Sequence, residues 1–125
     1  MTNWLIVSAG ILAGVTSLIH IVAGGKDVAR PLLASSIDET VKFTLYACWH
    51  LVSAALLFSS LTLLLNGMEF YKSPEMVAFV SIMWLVFGGV FLVVALVVAK
   101  PRGIFRLPQW ALLLPVGLLG LSGLA

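Results

Sequence analysis

With 125 residues, 62% of them hydrophobic, and only seven basic and five acidic side chains, the chain has far more apolar surface than a water-soluble core of this size can hide, which excludes a soluble globular domain. The mean hydropathy of +1.16 points the same way. A single cysteine excludes an intrachain disulfide. The formal net charge of +2 comes from bases at loop ends rather than a continuous face, so it gives no case for nucleic acid.

All the charges fall within residues 26–42, 69–75 and 100–106, leaving apolar spans at 4–25, 43–65, 76–99 and 107–125. Each is long enough to cross a hydrocarbon core of ~30 Å at ~1.5 Å per residue, and uninterrupted segments of this length satisfy their backbone as helices. The expected fold is all-α: one domain, 1–125, forming an integral membrane four-helix bundle.

The first span lacks the basic start and short apolar run of a secretory signal, so it is expected to stay as a helix. At ~100° per residue, Ala9, Gly10, Ala13, Thr16, Ser17 and Gly24 share a sector with His20 near its middle. Gly10 and Gly14 add a GxxxG spacing on its flank. Small residues let helix backbones approach, and packing drives association in lipid. His20 is therefore expected on a helix-facing surface, with Gly10, Ala13 and Gly14 serving packing inside the bundle ahead of homodimerisation.

After Gly24 and Gly25 the chain is expected to leave the core through Lys26, Asp27 and Arg30, with Pro31 ending the helix and a turn lying on the membrane surface. Ser36 and Glu39 fit a capping box, predicting a second helix that starts near Ile37 and runs to about Leu65. On it His50 projects with Tyr46 and Ser53, while Cys48 points away, which argues against a Cys-His metal site. Trp49 is about a quarter-turn from His50 and faces a neighbouring helix.

In the second loop Phe70 and Tyr71 sit at the interfacial level, and Ser73, Pro74 and Glu75 supply the cap, first residue and first-turn acid of a third helix. That span is the most apolar; Gly88 and Gly89 give it one close-approach point. A basic turn from Lys100 through Pro101 to Arg106 follows, with Pro108 suited to start the last span. Pro115 is expected to bend that span near Ala111.

Lys26, Arg30, Lys42, Lys100, Arg102 and Arg106 all belong to loops one and three, against Lys72 alone in loop two. The positive-inside rule then places loops one and three in the cytoplasm and both termini outside. A bacterial plasma membrane fits, since there is neither an organelle address nor a cysteine-rich exterior. The basic collar also suits anionic lipid headgroups.

Function concentrates on His20 and His50, the only histidines. They are expected about 6 Å and about 10 Å inside the cytoplasmic boundary, on facing antiparallel helices. Such a pair suits axial ligation of haem b or a share in a transition-metal site, with Arg30, Lys42, Arg102 and Arg106 placed for propionates. It equally suits a helix clasp, each imidazole bonded to a hydroxyl such as Ser17, Tyr46 or Ser53, or to the other. No span contains an acid, which disfavours a proton-coupled exporter and leaves a metal short of ligands. The expected role is a non-enzymatic accessory or assembly component of a membrane complex, in contact with lipid and with a protein partner or a second copy. The alternatives are a haem or metal redox protein using His20 and His50, and a lipid or hydrophobic small-molecule binder.

Overall fold

The structure, a computed structural model, describes residues 1–100 and 102–125. Every regular element among them is helical: α1 (Trp4–Ile19), a wider-wound π segment (His20–Ala29) running into α2 (Arg30–Ala34), α3 (Glu39–Gly67), α4 (Pro74–Val93) with a short π extension (Val94–Val98), α5 (Gly103–Arg106) and α6 (Trp110–Ser122). Three continuous helical runs are long and apolar enough to cross a membrane: Trp4–Ala34, Glu39–Gly67 and Pro74–Val98, of 31, 29 and 25 residues. Their outer faces are bare hydrocarbon, with Leu51 and Phe58 on α3 each 70% exposed and Phe79 on α4 66% exposed. Lipid, not water, is the solvent compatible with such faces.

α6 is shorter than the expected 107–125 span. Its 13 residues reach only about 20 Å at ~1.5 Å per residue, short of a ~30 Å core. The absence of charge over 107–125 overstated the helix, because Leu107 to Gln109 form a turn and the chain stops being helical at Gly123. Pro115 lies inside α6, which continues past it to Ser122. Pro101, in the expected basic turn, lies outside the described residues.

The core occupies one half of the molecule. α1 packs on α3 and α6, and α4 packs on α6. Where they meet, Ile6, Ala9, Ala13, Leu63, Trp84 and Val116 are buried together. The small residues of α1 account for the closeness: a side chain on Gly10 would strike Leu64, and one on Gly14 would press on the Ser60 hydroxyl. The GxxxG spacing thus packs within the chain, against α3. Gly88 makes the corresponding approach to Leu114 of α6, but Gly89 faces open space, so only the first glycine of that pair serves packing.

Some polar groups inside this core act between helices. Ser60 Oγ donates to the Gly10 carbonyl at 2.9 Å, and Trp84 Nε1 donates to Ser59 Oγ at 2.9 Å. Asn3 gathers three elements: its side chain caps α1 by accepting from the Ile6 N–H and donates to the Gly123 carbonyl, while its own N–H donates to the Gly67 carbonyl. Gly67 is required there by the close approach of Val7, and the left-handed residue that turns the chain out of α3 is Glu69, at φ 65°. The end of the bundle holding the termini is therefore tightly tied.

The caps follow the sequence with two exceptions, at α3 and at α6, which starts at Trp110 behind Gln109 rather than at Pro108. Ser73 caps α4 by accepting from the Met76 N–H, with Pro74 first in the helix and Glu75 in the first turn. At α3 the cap is Asp38 rather than Ser36: its carboxylate accepts from the Thr40 and Val41 N–H groups, so the helix begins at Glu39, and it runs two residues past the expected end to Gly67. An ionised oxygen reaching two orphan donors outcompetes a hydroxyl two residues upstream.

Candidate functional site

The sequence expectation of a surface turn after Gly25 is overturned. The first helix continues through Gly24, Gly25 and Pro31 to Ala34. It does so by winding wide from His20 to Ala29, where bonds reach back five residues, as from the Arg30 N–H to the Gly25 carbonyl. Proline normally breaks a helix because it lacks a donor and collides with the carbonyl four residues back. Here Pro31 falls in the first turn of α2, where the winding tightens again and a missing donor costs little.

This extension carries the chain alongside the first half of α3, beyond the half of the molecule that α6 covers. His20 stands where the π winding starts, half-buried against α3. Its imidazole stacks on the Trp49 indole with ring centroids 3.9 Å apart and planes 18° apart. Its Nε2 lies 3.1 Å from Ser53 Oγ. Ser53 Oγ donates to the Trp49 carbonyl at 3.0 Å, which leaves its oxygen free to accept from the imidazole when Nε2 carries the proton. Gly24, one turn on, makes room for this arrangement, because a side chain there would run into the Trp49 ring. Ser17, the other hydroxyl expected near His20, instead donates back to the Ala13 carbonyl at 2.7 Å.

His50 lies at the level the sequence suggested, between Trp49 and Ser53 on α3, but its contacts differ. It is exposed, and its ring stands nearly perpendicular to that of Tyr46, with centroids 4.6 Å apart. Tyr46 therefore approaches His50 through its ring. The two histidines are engaged separately: His20 with Trp49 and Ser53, His50 with Tyr46. Trp49, not His50, is the principal partner of His20. An indole a quarter-turn from His50 and level with a glycine pair on the facing helix was the signal for it.

Between the π segment and α3 lies a cleft of about 490 Å³, open along one side. Ile21, Val22, Ala29 and Leu33 form its apolar wall; Lys26 and Arg30 stand on the same helix, and Tyr46, Trp49, His50 and Ser53 line it from α3. His50 opens onto this cleft and His20 is not part of its lining. Of the expected basic collar, Lys26 and Arg30 line the cleft, Lys42 follows in the second turn of α3, and Lys100, Arg102 and Arg106 are exposed around α5 at the far end of α4. Cys48 is exposed and belongs to neither histidine's surroundings. Among the described residues no three His, Cys, Asp or Glu side chains converge where they could hold a metal ion. The ion pairs among them involve only Glu69, with the amino terminus and Lys72. Compared with known proteins, the chain matches no family model, no curated protein and no solved structure.

Proposed function

We propose that the protein is a single-domain four-helix integral membrane protein of a bacterial plasma membrane, with both termini outside and loops one and three in the cytoplasm, working as a non-enzymatic accessory or assembly component of a larger membrane system. The observation that carries this reading is how its interior polar groups are used. His20, Ser53, Ser59, Ser60 and Trp84 all tie one helix to another or support such a tie. These groups hold the bundle together, and the outer apolar faces and the basic end remain for lipid and protein contact. Affinity purification in mild detergent after crosslinking is expected to recover a stoichiometric partner. Repeated recovery of the isolated chain counts against the reading. For topology, single cysteines placed in a Cys48→Ser background at Lys72, Lys26 and Arg102 separate the alternatives. An impermeant maleimide is expected to label the first in intact cells and the other two only after permeabilisation.

One observation favours a second reading, a haem b or transition-metal protein using His20 and His50. The His50 ring opens onto a cleft that also holds Lys26 and Arg30, cations suited to an acidic cofactor. The Nε2 of His20 is held by Ser53, so axial ligation through that atom requires the clasp to open. An absorption spectrum and metal analysis on protein expressed with adequate haem and metal decide it. A Soret band or bound metal that disappears in both His20→Ala and His50→Ala establishes this second reading, and colourless, metal-free protein removes it.

A further inference from the structure

We infer that the cleft between the π segment and α3 is a binding site for one anionic phospholipid. This inference rests on the membrane placement above but not on the existence of a protein partner, so failure of the pull-down and failure of the lipid experiment are separate results.

Charge comes first. Lys26 and Arg30 stand one turn apart on the same side of the first helix, and none of the residues lining the cleft is acidic. Neither cation takes part in an ion pair among the described residues. Asp27, between them in sequence, is not part of the lining. Two cations at a membrane boundary without a protein counter-charge attract an anionic headgroup, and arginine adds the two-pronged donor geometry that phosphate oxygens accept.

Shape and polarity agree with that charge. The about 490 Å³ of the cleft falls within the range of small-ligand sites, ~300–1,000 Å³, enough for a headgroup and the first methylenes. Ile21, Val22 and Leu33 offer those methylenes an apolar wall, and the open side lets acyl chains continue into the bilayer. Tyr46 and His50 supply further donors opposite the cations. Gly25 lines the cleft, and a side chain built on it would meet nothing within 4 Å, so its lack of one keeps the space clear without serving any helix contact.

That last point gives a clean test. Native mass spectrometry of the full chain in detergent would compare phosphatidylglycerol and phosphatidylcholine of identical acyl chains, with inorganic phosphate as a competitor. One phosphatidylglycerol per chain should be retained about tenfold better than phosphatidylcholine, a preference consistent with two basic groups near the headgroup. Inorganic phosphate at the same concentration should not displace it. Lys26→Gln with Arg30→Gln should abolish the preference. Gly25→Leu, with both charges intact, should reduce retention comparably by filling the cleft, and it carries the test alone if the double variant loses its helical circular dichroism. Arg102→Gln with Arg106→Gln, the same charge change away from the cleft, should leave binding unchanged. Equal retention of the two lipids, displacement by phosphate alone, an equal loss in the distant double variant, or undiminished retention by folded Gly25→Leu would each overturn the inference.

Discussion

The contact between His20 and α3 can be tested by replacing its partners singly and together. His20 makes two interactions there: a near-parallel stack on Trp49 at 3.9 Å and a 3.1 Å hydrogen bond to Ser53. An aromatic pair in good geometry contributes about 0.5–1.5 kcal/mol beyond its buried area. An interhelical hydrogen bond in a membrane protein averages about 0.6 kcal/mol, because the separated helices also find partners. Double-mutant cycles should therefore give about 1 kcal/mol of coupling between His20→Ala and Trp49→Ala, and about 0.6 kcal/mol between His20→Ala and Ser53→Ala. His50→Ala serves as the comparison: with only an edge contact to Tyr46, it should couple to neither Trp49 nor Ser53. Reversible unfolding in mixed micelles of increasing dodecyl sulfate content, followed by far-ultraviolet circular dichroism, measures all of these. If the His20 substitutions add to those at Trp49 and Ser53 within about 0.3 kcal/mol, the clasp contributes no stability and the reasoning fails.

Three further outcomes are expected. Ser81 is fully buried on α4 and its hydroxyl has no hydrogen-bond partner; Ser81→Ala should stabilise the protein by about 1 kcal/mol in the same unfolding assay. Gly120 of α6 lies against that hydroxyl, so Gly120→Ala should destabilise by about 1–3 kcal/mol as an overpacked contact, and Ser81→Ala in the same chain should recover part of the loss. In the second loop, the amino terminus and then Lys72 hold the Glu69 carboxyl below the usual carboxylate range. That contribution is complete above the ordinary carboxylate value and is lost as pH falls through the depressed folded value. Nuclear magnetic resonance titration of Glu69 should show its pKa rising in Lys72→Gln and rising further when the amino terminus is acetylated; an unchanged titration in both would refute the assignment.

The long apolar runs made the helical class legible, since windows free of charge over 4–25, 43–65 and 76–99 leave the backbone few alternatives in lipid. The buried sector of α1 was legible too, because helical periodicity alone brings Ala9, Gly10, Ala13, Thr16 and Ser17 to one face. Local competition was not. Ser36 and Asp38 both qualify as caps, and which of them finds two free N–H groups depends on where the preceding chain arrives. Pro31 reads as a stop until a change of winding places it in a first turn, and a five-residue bonding pattern has no residue-level signature in His20 to Ala29. For the candidate site, the rise per residue put His20 and His50 at one level but could not choose among Ser17, Tyr46, Ser53 and His50 as the partner of His20, and Trp49 was not among the candidates. The structure pairs His20 with Ser53 through a hydroxyl bond and with Trp49 through ring stacking. The short α6 was hidden because lack of charge records permission to enter lipid, not the length of a helix.

The wide winding between His20 and Ala29 also separates the two ends of the first helix in rotational phase. Each wide turn holds a residue more than an α-turn would, so returning the segment to ordinary winding would rotate α2 about its axis by about 100° for every residue released. Asn3, Gly10 and Ala13 would keep their places in the core during such a change, while Arg30 would swing around the helix away from α3. Deleting one residue between Ile21 and Val28 would cancel one such step, letting that turn wind as an ordinary helix while α2 keeps its phase. The first helix thus behaves as a fixed shaft joined to an indexable end, whose orientation depends on residue count and winding together.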